Sequence, residues 1–186
     1  MRVILFRHGI AHDRADPHCP PDPDRALTDE GRKKTRKSAK GLKEMACAPT
    51  RVLASPYVRA KETAAICAEV FGLPDAKVTL TDALLPEAPP YALFHALFAY
   101  HGSDEEILCV GHAPNVDKVI AVALTGERAP VTSLKKSGAA LLLVEDLPRT
   151  RGELLWLIPP KVLASLSHAR RPPPDARRVI AAARAV

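Results

Sequence analysis

Aromatic side chains are scarce: Phe, Trp and Tyr together make up 4% of the 186 residues. Aliphatic residues must therefore dominate packing, and the interleaved aromatics on which unpaired bases stack are missing. No apolar run approaches the ~20 residues of a membrane span, so no membrane association is expected. The apolar run at 3–6 is too short for a signal peptide and leads straight into a polar pair. Cys19, Cys47, Cys67 and Cys109 include no C-x-x-C pair. Three of them sit among apolar residues and read as buried thiols, which points to a reducing, cytoplasmic setting.

What is present is a globular composition, 47% hydrophobic and 26% charged, in a chain of single-domain size with room for a substantial core. The net charge is +6. Up to residue 148 the charges balance, so the excess lies entirely in 149–186. Such a tail could attract a nucleic acid or an acidic protein. Without aromatics or a nucleic-acid motif it reads as a solvated basic segment instead.

Val3-Ile4-Leu5-Phe6-Arg7-His8-Gly9 opens the chain as a short buried strand that stops at a cation and an imidazole. Residues 10–26 are polar and Pro-rich and read as a loop. The spacing of His12, Asp13, His18 and Cys19 in it fits no standard metal site, so no metal or other cofactor is expected. Thr28 is placed as the N-cap of a helix running to about residue 46, with Arg25 just before it. A second strand at 52–54 leads to Ser55-Pro56, read as N-cap and N1 of a helix that ends at Gly72. Arg59 in its first turn should lean back over the strand end.

Residues 77–80 suggest a third strand, and the loop 82–90 carries Glu87. A helix over 91–100 should bury Leu93, Phe94, Leu97 and Phe98. Strand 106–110 is followed by Gly111-His112-Ala113-Pro114-Asn115, which repeats the opening arrangement of apolar strand, histidine and helix. Strand 139–144 is apolar throughout and is expected at the sheet centre, paired as a hairpin with a sixth strand at 153–158. The remainder, from 159, is rich in Pro, Arg and Ala, with room for short helices and a mobile link at 170–174.

Strand–helix alternation predicts a three-layer α/β/α domain with a mostly parallel six-stranded sheet. Ligands bind at the carboxyl ends of such strands. There Arg7, His8, Arg25, Arg59 and His112 would converge. Guanidinium forks match phosphate oxygens and stay charged. A neutral imidazole can attack phosphorus, and the cations, with a second imidazolium, can stabilise the transition state.

Four segments resemble the histidine phosphatase superfamily, the phosphoglycerate-mutase-like enzymes, and within it the smaller SixA-type phosphohistidine phosphatases. They are Arg7-His8-Gly9-Ile10-Ala11, Arg25-Ala26-Leu27-Thr28-Asp29-Glu30-Gly31, Ser55-Pro56-Tyr57-Val58-Arg59-Ala60-Lys61-Glu62-Thr63-Ala64 and Val110-Gly111-His112-Ala113-Pro114. The resemblance spans about 1–158 as one catalytic domain and leaves 159–186 as a basic extension. It implies that His8 is the phosphorylated nucleophile, that Arg7 and Arg59 grip phosphate, that His112 completes the pocket and that Arg25 adds a phosphate contact. Ala26 stands where the SixA-type group usually has proline.

Larger relatives carry a helical lid for which this chain has no room, so an open site is expected. Many members use a carboxylate in the loop after the third strand as general acid. Glu87 occupies that region, with Asp13 as the second candidate. The expected activity is metal-independent hydrolysis of phosphohistidine borne on a protein. Small phosphomonoesters are the alternative substrate class. A non-catalytic phosphate-binding module that docks through its basic tail is the alternative of another kind.

Overall fold

Alternation along the opening run decides the two faces of the sheet. In β1 (Arg2–Arg7), Val3 and Leu5 enter one apolar cluster and Ile4 and Phe6 enter the other. The computed structural model describes residues 1–102, 105–145, 147 and 151–167. After β1 come α1 (Asp29–Glu44), β2 (Arg51–Ala54), α2 (Val58–Phe71), β3 (Val78–Leu80), α3 (Pro90–Phe98) and β4 (Glu106–Gly111). Then follow α4 (Asn115–Thr125), β5 (Ala139–Val144), β6 (Gly152–Ile158) and α5 (Pro160–Leu166).

The sheet order is β3-β2-β4-β1-β5-β6. The β2–β3, β2–β4 and β1–β4 pairs are parallel, whereas β5 is antiparallel to both β1 and β6. All strands except β5 thus point the same way. Residues of α1, α2 and α5 pack on one face and residues of α3 and α4 on the other, which gives the expected three-layer α/β/α arrangement. Among the described residues no helical lid domain is inserted between these elements. No described helix is long and apolar enough to cross a membrane.

Several boundaries differ from the sequence reading, each for a local reason. Thr28 does cap α1, its hydroxyl accepting from the Gly31 N–H at 3.0 Å. The helix ends at Glu44, and Ala46 takes a left-handed φ of 61°. The second helix starts at Val58, not at Ser55-Pro56, because the Ser55 backbone N–H still donates to Val110 in the manner of a strand residue. Strand β5 is not central; β4 and β1 hold the middle, and β5 is next to the edge. Phe98 is 51% exposed and stacks on His101 rather than joining the core.

Residues 160–166 form α5, which packs along α1. Leu163 is fully buried there, and its backbone carbonyl lies so close to Gly41 that a side chain at that position would overlap it. Burying one leucine contributes on the order of 2 kcal/mol. The expected mobile link at 170–174 lies outside the described residues.

Candidate active site

Strand register brings the two histidines together. Arg7 pairs with Gly111 in the parallel β1–β4 ladder, so the next residues, His8 and His112, emerge side by side. The His8 backbone N–H donates to the Gly111 carbonyl at 3.0 Å. The imidazole centroids are 4.8 Å apart with the rings tilted by 55°. Both rings are nearly inaccessible, His8 at 6% and His112 at 1%. The Gly9 N–H donates to Thr63 Oγ1, whose hydroxyl donates to the Arg59 carbonyl, so the turn after β1 is fastened to α2.

Two fixed partners settle the tautomer of His8. Its Nδ1 lies 2.7 Å from the Gly9 carbonyl, which can only accept, so Nδ1 carries the proton. Arg59 Nε, which can only donate, faces Nε2 at 3.3 Å. Nε2 is therefore the unprotonated nitrogen, and in this state its lone pair accepts from Arg59. Burial is the main cause that depresses the His8 pKa to about 2, with His112, Arg59 and Arg7 adding repulsion and the Gly9 carbonyl opposing them. The ring is neutral at physiological pH.

His112 is held differently. Its Nε2 is 2.9 Å from Ser55 Oγ, and its Nδ1 is buried with no hydrogen-bond partner among the described residues. Burial first, then Arg59, lowers its pKa to about 3, with Arg7 and Arg25 adding to the effect and Asp22 opposing it. The second imidazolium expected from the sequence is thus a neutral ring in this state. A bound phosphoryl dianion would favour its protonation.

The arginines are arranged by a short turn within the segment that the sequence predicts as loop. Asp22–Asp24 form a single 3-10 turn, whose three-residue period superposes Asp22 on Arg25. Arg25 donates through Nε and Nη2 to Asp22 Oδ1, both at 2.8 Å. Arg14 bonds the same oxygen, and Arg59 Nη2 reaches Oδ2 at 3.1 Å while its Nη1 takes the Asp22 carbonyl at 2.6 Å. Burial alone would raise the Asp22 pKa, but the bonds from Arg25, Arg59 and Arg14 outweigh it and hold the carboxyl at about 2. Arg59 is 2% exposed, and burying a guanidinium without a counter-charge would cost several kcal/mol. Asp22 supplies that counter-charge.

Arg7 is tied from the other side. Its Nη1 donates to the Leu134 carbonyl at 2.8 Å, and the Leu134 N–H donates to buried Asp117 at 2.7 Å. Arg7 Nε is buried and unpartnered among the described residues. An unmet buried polar atom costs about 1–3 kcal/mol, so an oxyanion bonded there would be well compensated.

These groups line one open cleft of about 580 Å³. Arg7, His8, Arg25, Arg59 and His112 all border it. Glu87 does not: Pro86 forms part of the wall, and the Glu87 side chain is exposed beyond it. Asp13 does line the cleft, from the solvent side, with Oδ1 accepting from the Ala15 N–H. No three His, Cys, Asp or Glu side chains among the described residues are grouped to share a metal ion.

Four contributors were not singled out from the sequence as parts of a site. The sequence reads Ser55 as an N-cap; its hydroxyl accepts from the Tyr57 N–H and also meets His112. Asp22 was legible in principle, as an Asp three residues before an Arg within a Pro-bounded turn. Thr63 and Lys136 carry no comparable signal, since they arrive by packing and by the loop after α4. Such a cleft can seat a tetrahedral oxyanion among guanidinium groups, with an unprotonated imidazole nitrogen beside it.

Comparison with known proteins agrees. Residues 3–85 match the family model of the histidine phosphatase superfamily, branch 1. An uncharacterized protein of Picosynechococcus is 32% identical over 167 residues, which are 88% of this chain and 99% of that one. The phosphohistidine phosphatase SixA of Escherichia coli is 30% identical over 137 residues, 70% of this chain and 79% of the relative. The solved structure of the protein histidine phosphatase SixA bound to tungstate superposes with a TM-score of 0.75 at 27% identity, covering 88% of this chain and 99% of that one. The paired histidines at adjacent strand ends therefore sit in a shared scaffold, and the chain belongs to the histidine phosphatase superfamily as a SixA-like phosphatase.

Proposed function

We propose that the protein hydrolyses phosphohistidine on a protein substrate, through a covalent phosphoryl intermediate on His8. Nε2 of His8 attacks phosphorus, the P–N bond to the substrate imidazole breaks, and that imidazole leaves with a proton from solvent. Water then attacks the phosphoryl group on His8, which releases inorganic phosphate and the free ring. Arg7, Arg25 and Arg59 bind the equatorial oxygens, and His112 protonates as charge builds up beside it. The observation that carries this reading is the fixed tautomer of His8, a neutral ring unprotonated at Nε2 in a cleft lined by three guanidinium groups.

The substrate class is supported by what surrounds the leaving group. Among the described residues the one carboxylate that lines the cleft is Asp13, on an exposed loop. An alkyl phosphate needs a positioned acid, whereas an imidazole leaving group is readily protonated. The open cleft also suits a phosphoryl group presented on a protein surface.

The test is trapping at alkaline pH, where a P–N bond survives. A phosphohistidine-bearing protein labelled with radioactive phosphate should transfer label to the wild type and none to His8→Ala. Turnover should fall by ~10³-fold or more in that variant. Undiminished turnover without His8 would end this mechanism. A higher kcat/KM for sugar phosphates than for phosphohistidine peptides would move the protein to the phosphomonoester class.

A further inference from the structure

Beside the catalytic cleft lies a second groove of about 540 Å³. The two depressions share Arg7, Ile10 and Lys136, so a ligand can run from one into the other. The rim of the groove carries Lys34, Lys135, Lys136 and Lys161. Its floor is apolar, formed by Ile10, Pro160 and Ala164. Among the described residues no carboxylate lines it.

The lysines are largely without counter-charge. Lys34 pairs with Glu30 at 2.6 Å, but Lys135, Lys136 and Lys161 have no ion pair among the described residues. Lys136 is also disfavoured as a cation, by loss of solvent and then by Arg7, Arg25 and Arg59, with Asp13 opposing them. Three ammonium groups without an ion pair, around an apolar floor, attract anions. In sequence, residues 168–186 add more basic charge than acidic, with Arg170, Arg171, Arg177, Arg178 and Arg184 against the single Asp175.

We infer that this groove docks an acidic segment of the substrate protein, with its Asp or Glu residues on the lysine rim while the phosphohistidine occupies the cleft beside Arg7. The inference rests on the reading of His8 as acting on a protein-borne phosphohistidine. Apolar stems of the lysines and the floor would cover the hydrophobic side of the segment. An RNA would match the charge, but among the described residues no aromatic side chain lines the groove as a platform for its bases.

The experiment compares two phosphohistidine peptides, one flanked by Glu and one by Gln, with free phosphohistidine as the minimal substrate. Wild type should favour the acidic peptide by about tenfold in kcat/KM at low salt, and added salt should erode the preference. Lys135→Ala/Lys161→Ala should lose most of it and still turn over free phosphohistidine at the wild-type rate. Lys161→Glu should favour the Gln-flanked peptide.

A wild-type ratio near one, or a ratio unmoved in the double variant, overturns the docking role. Binding of fluorescein-labelled oligoglutamate, read by anisotropy, keeps the two claims apart. Lysine-dependent binding without turnover of any phosphohistidine sinks the functional reading and leaves the groove standing. Turnover with no lysine-dependent binding does the reverse. Tighter lysine-dependent binding of a single-stranded RNA than of oligoglutamate would overturn the assignment to a protein partner.

Discussion

Arg59 donates from Nε to Nε2 of His8 across 3.3 Å, so a cation, not a carboxylate, faces the nitrogen that would attack. The other ring nitrogen is held by the Gly9 carbonyl at 2.7 Å. A carboxylate behind an imidazole stabilises the protonated ring and suits it to act as a general base. Here the surroundings oppose protonation, which suits a ring that must form a bond to phosphorus with its lone pair. Two further donors of Arg59 go to Asp22, one to its carbonyl and one to its carboxylate.

Replacing Asp22 by Asn should separate alignment from charge. The variant keeps the shape but removes the anion shared by Arg14, Arg25 and Arg59. Inorganic phosphate should bind at least as tightly, since a competing negative charge is gone. The rate constant kcat should fall by about tenfold, since the guanidinium groups lose their common anchor. Steady-state kinetics with phosphate as product inhibitor measures both. A weaker phosphate affinity with unchanged kcat would show that Asp22 does not order the arginines for the chemical step.

The two candidate acids should behave differently. Glu87 lies outside the cleft, so Glu87→Gln should leave turnover of both phosphohistidine and phosphomonoesters within about twofold of wild type. Asp13→Asn should slow phosphomonoester hydrolysis by ~10-fold or more and barely affect phosphohistidine, whose leaving group needs no positioned acid. Comparing the two substrates on each variant checks this. A large loss in Glu87→Gln would mean that the loop after β3 moves inward during catalysis.

Acid should unfold the protein through its buried histidines. The folded-state pKa values are about 2 for His8 and about 3 for His112, both below the ordinary value near 6.5. As pH falls through 6.5 the unfolded chain takes up protons that the folded chain refuses, so stability is full above that point and declines below it. Each ring contributes a slope of up to about 1.4 kcal/mol per pH unit. Urea denaturation at pH 7 and pH 5 should show a loss of about 2–4 kcal/mol in wild type. His8→Ala should cut that loss roughly in half. Equal losses in both proteins would mean that the ring is charged when folded.

Gly41→Ala should test how firmly α5 belongs to the domain. The added methyl would meet the Leu163 backbone carbonyl, which cannot turn aside as a flexible side chain could. A destabilisation of about 1–3 kcal/mol is expected, seen as a lower Tm. Lys40→Ala, on the exposed side of the same helix, should change stability by less than about 0.5 kcal/mol. An unchanged Tm in Gly41→Ala would mean that α5 detaches at little cost.

The sequence by itself determined the strands, the order of the helices and most of the cleft. Four apolar residues before Arg7-His8, and five residues ending in Val110 before Gly111-His112, specify strand ends that carry imidazoles. Thr28 specifies a helix start through its own hydroxyl. These are local effects, written in neighbours along the chain.

Tertiary structure decided the rest, because it depends on residues far apart. The β1–β4 register, with Arg7 opposite Gly111, sets the 4.8 Å between the rings, and no local pattern encodes a register between strands a hundred residues apart. Asp22 became the anchor of three arginines only when the 3-10 turn met α2. Lys136 joined the cleft, and Glu87 was left outside it, through the paths of two loops whose sequences hold no periodic signal. The protonation state of His112 likewise followed from burial beside cations, which no single stretch of chain contains.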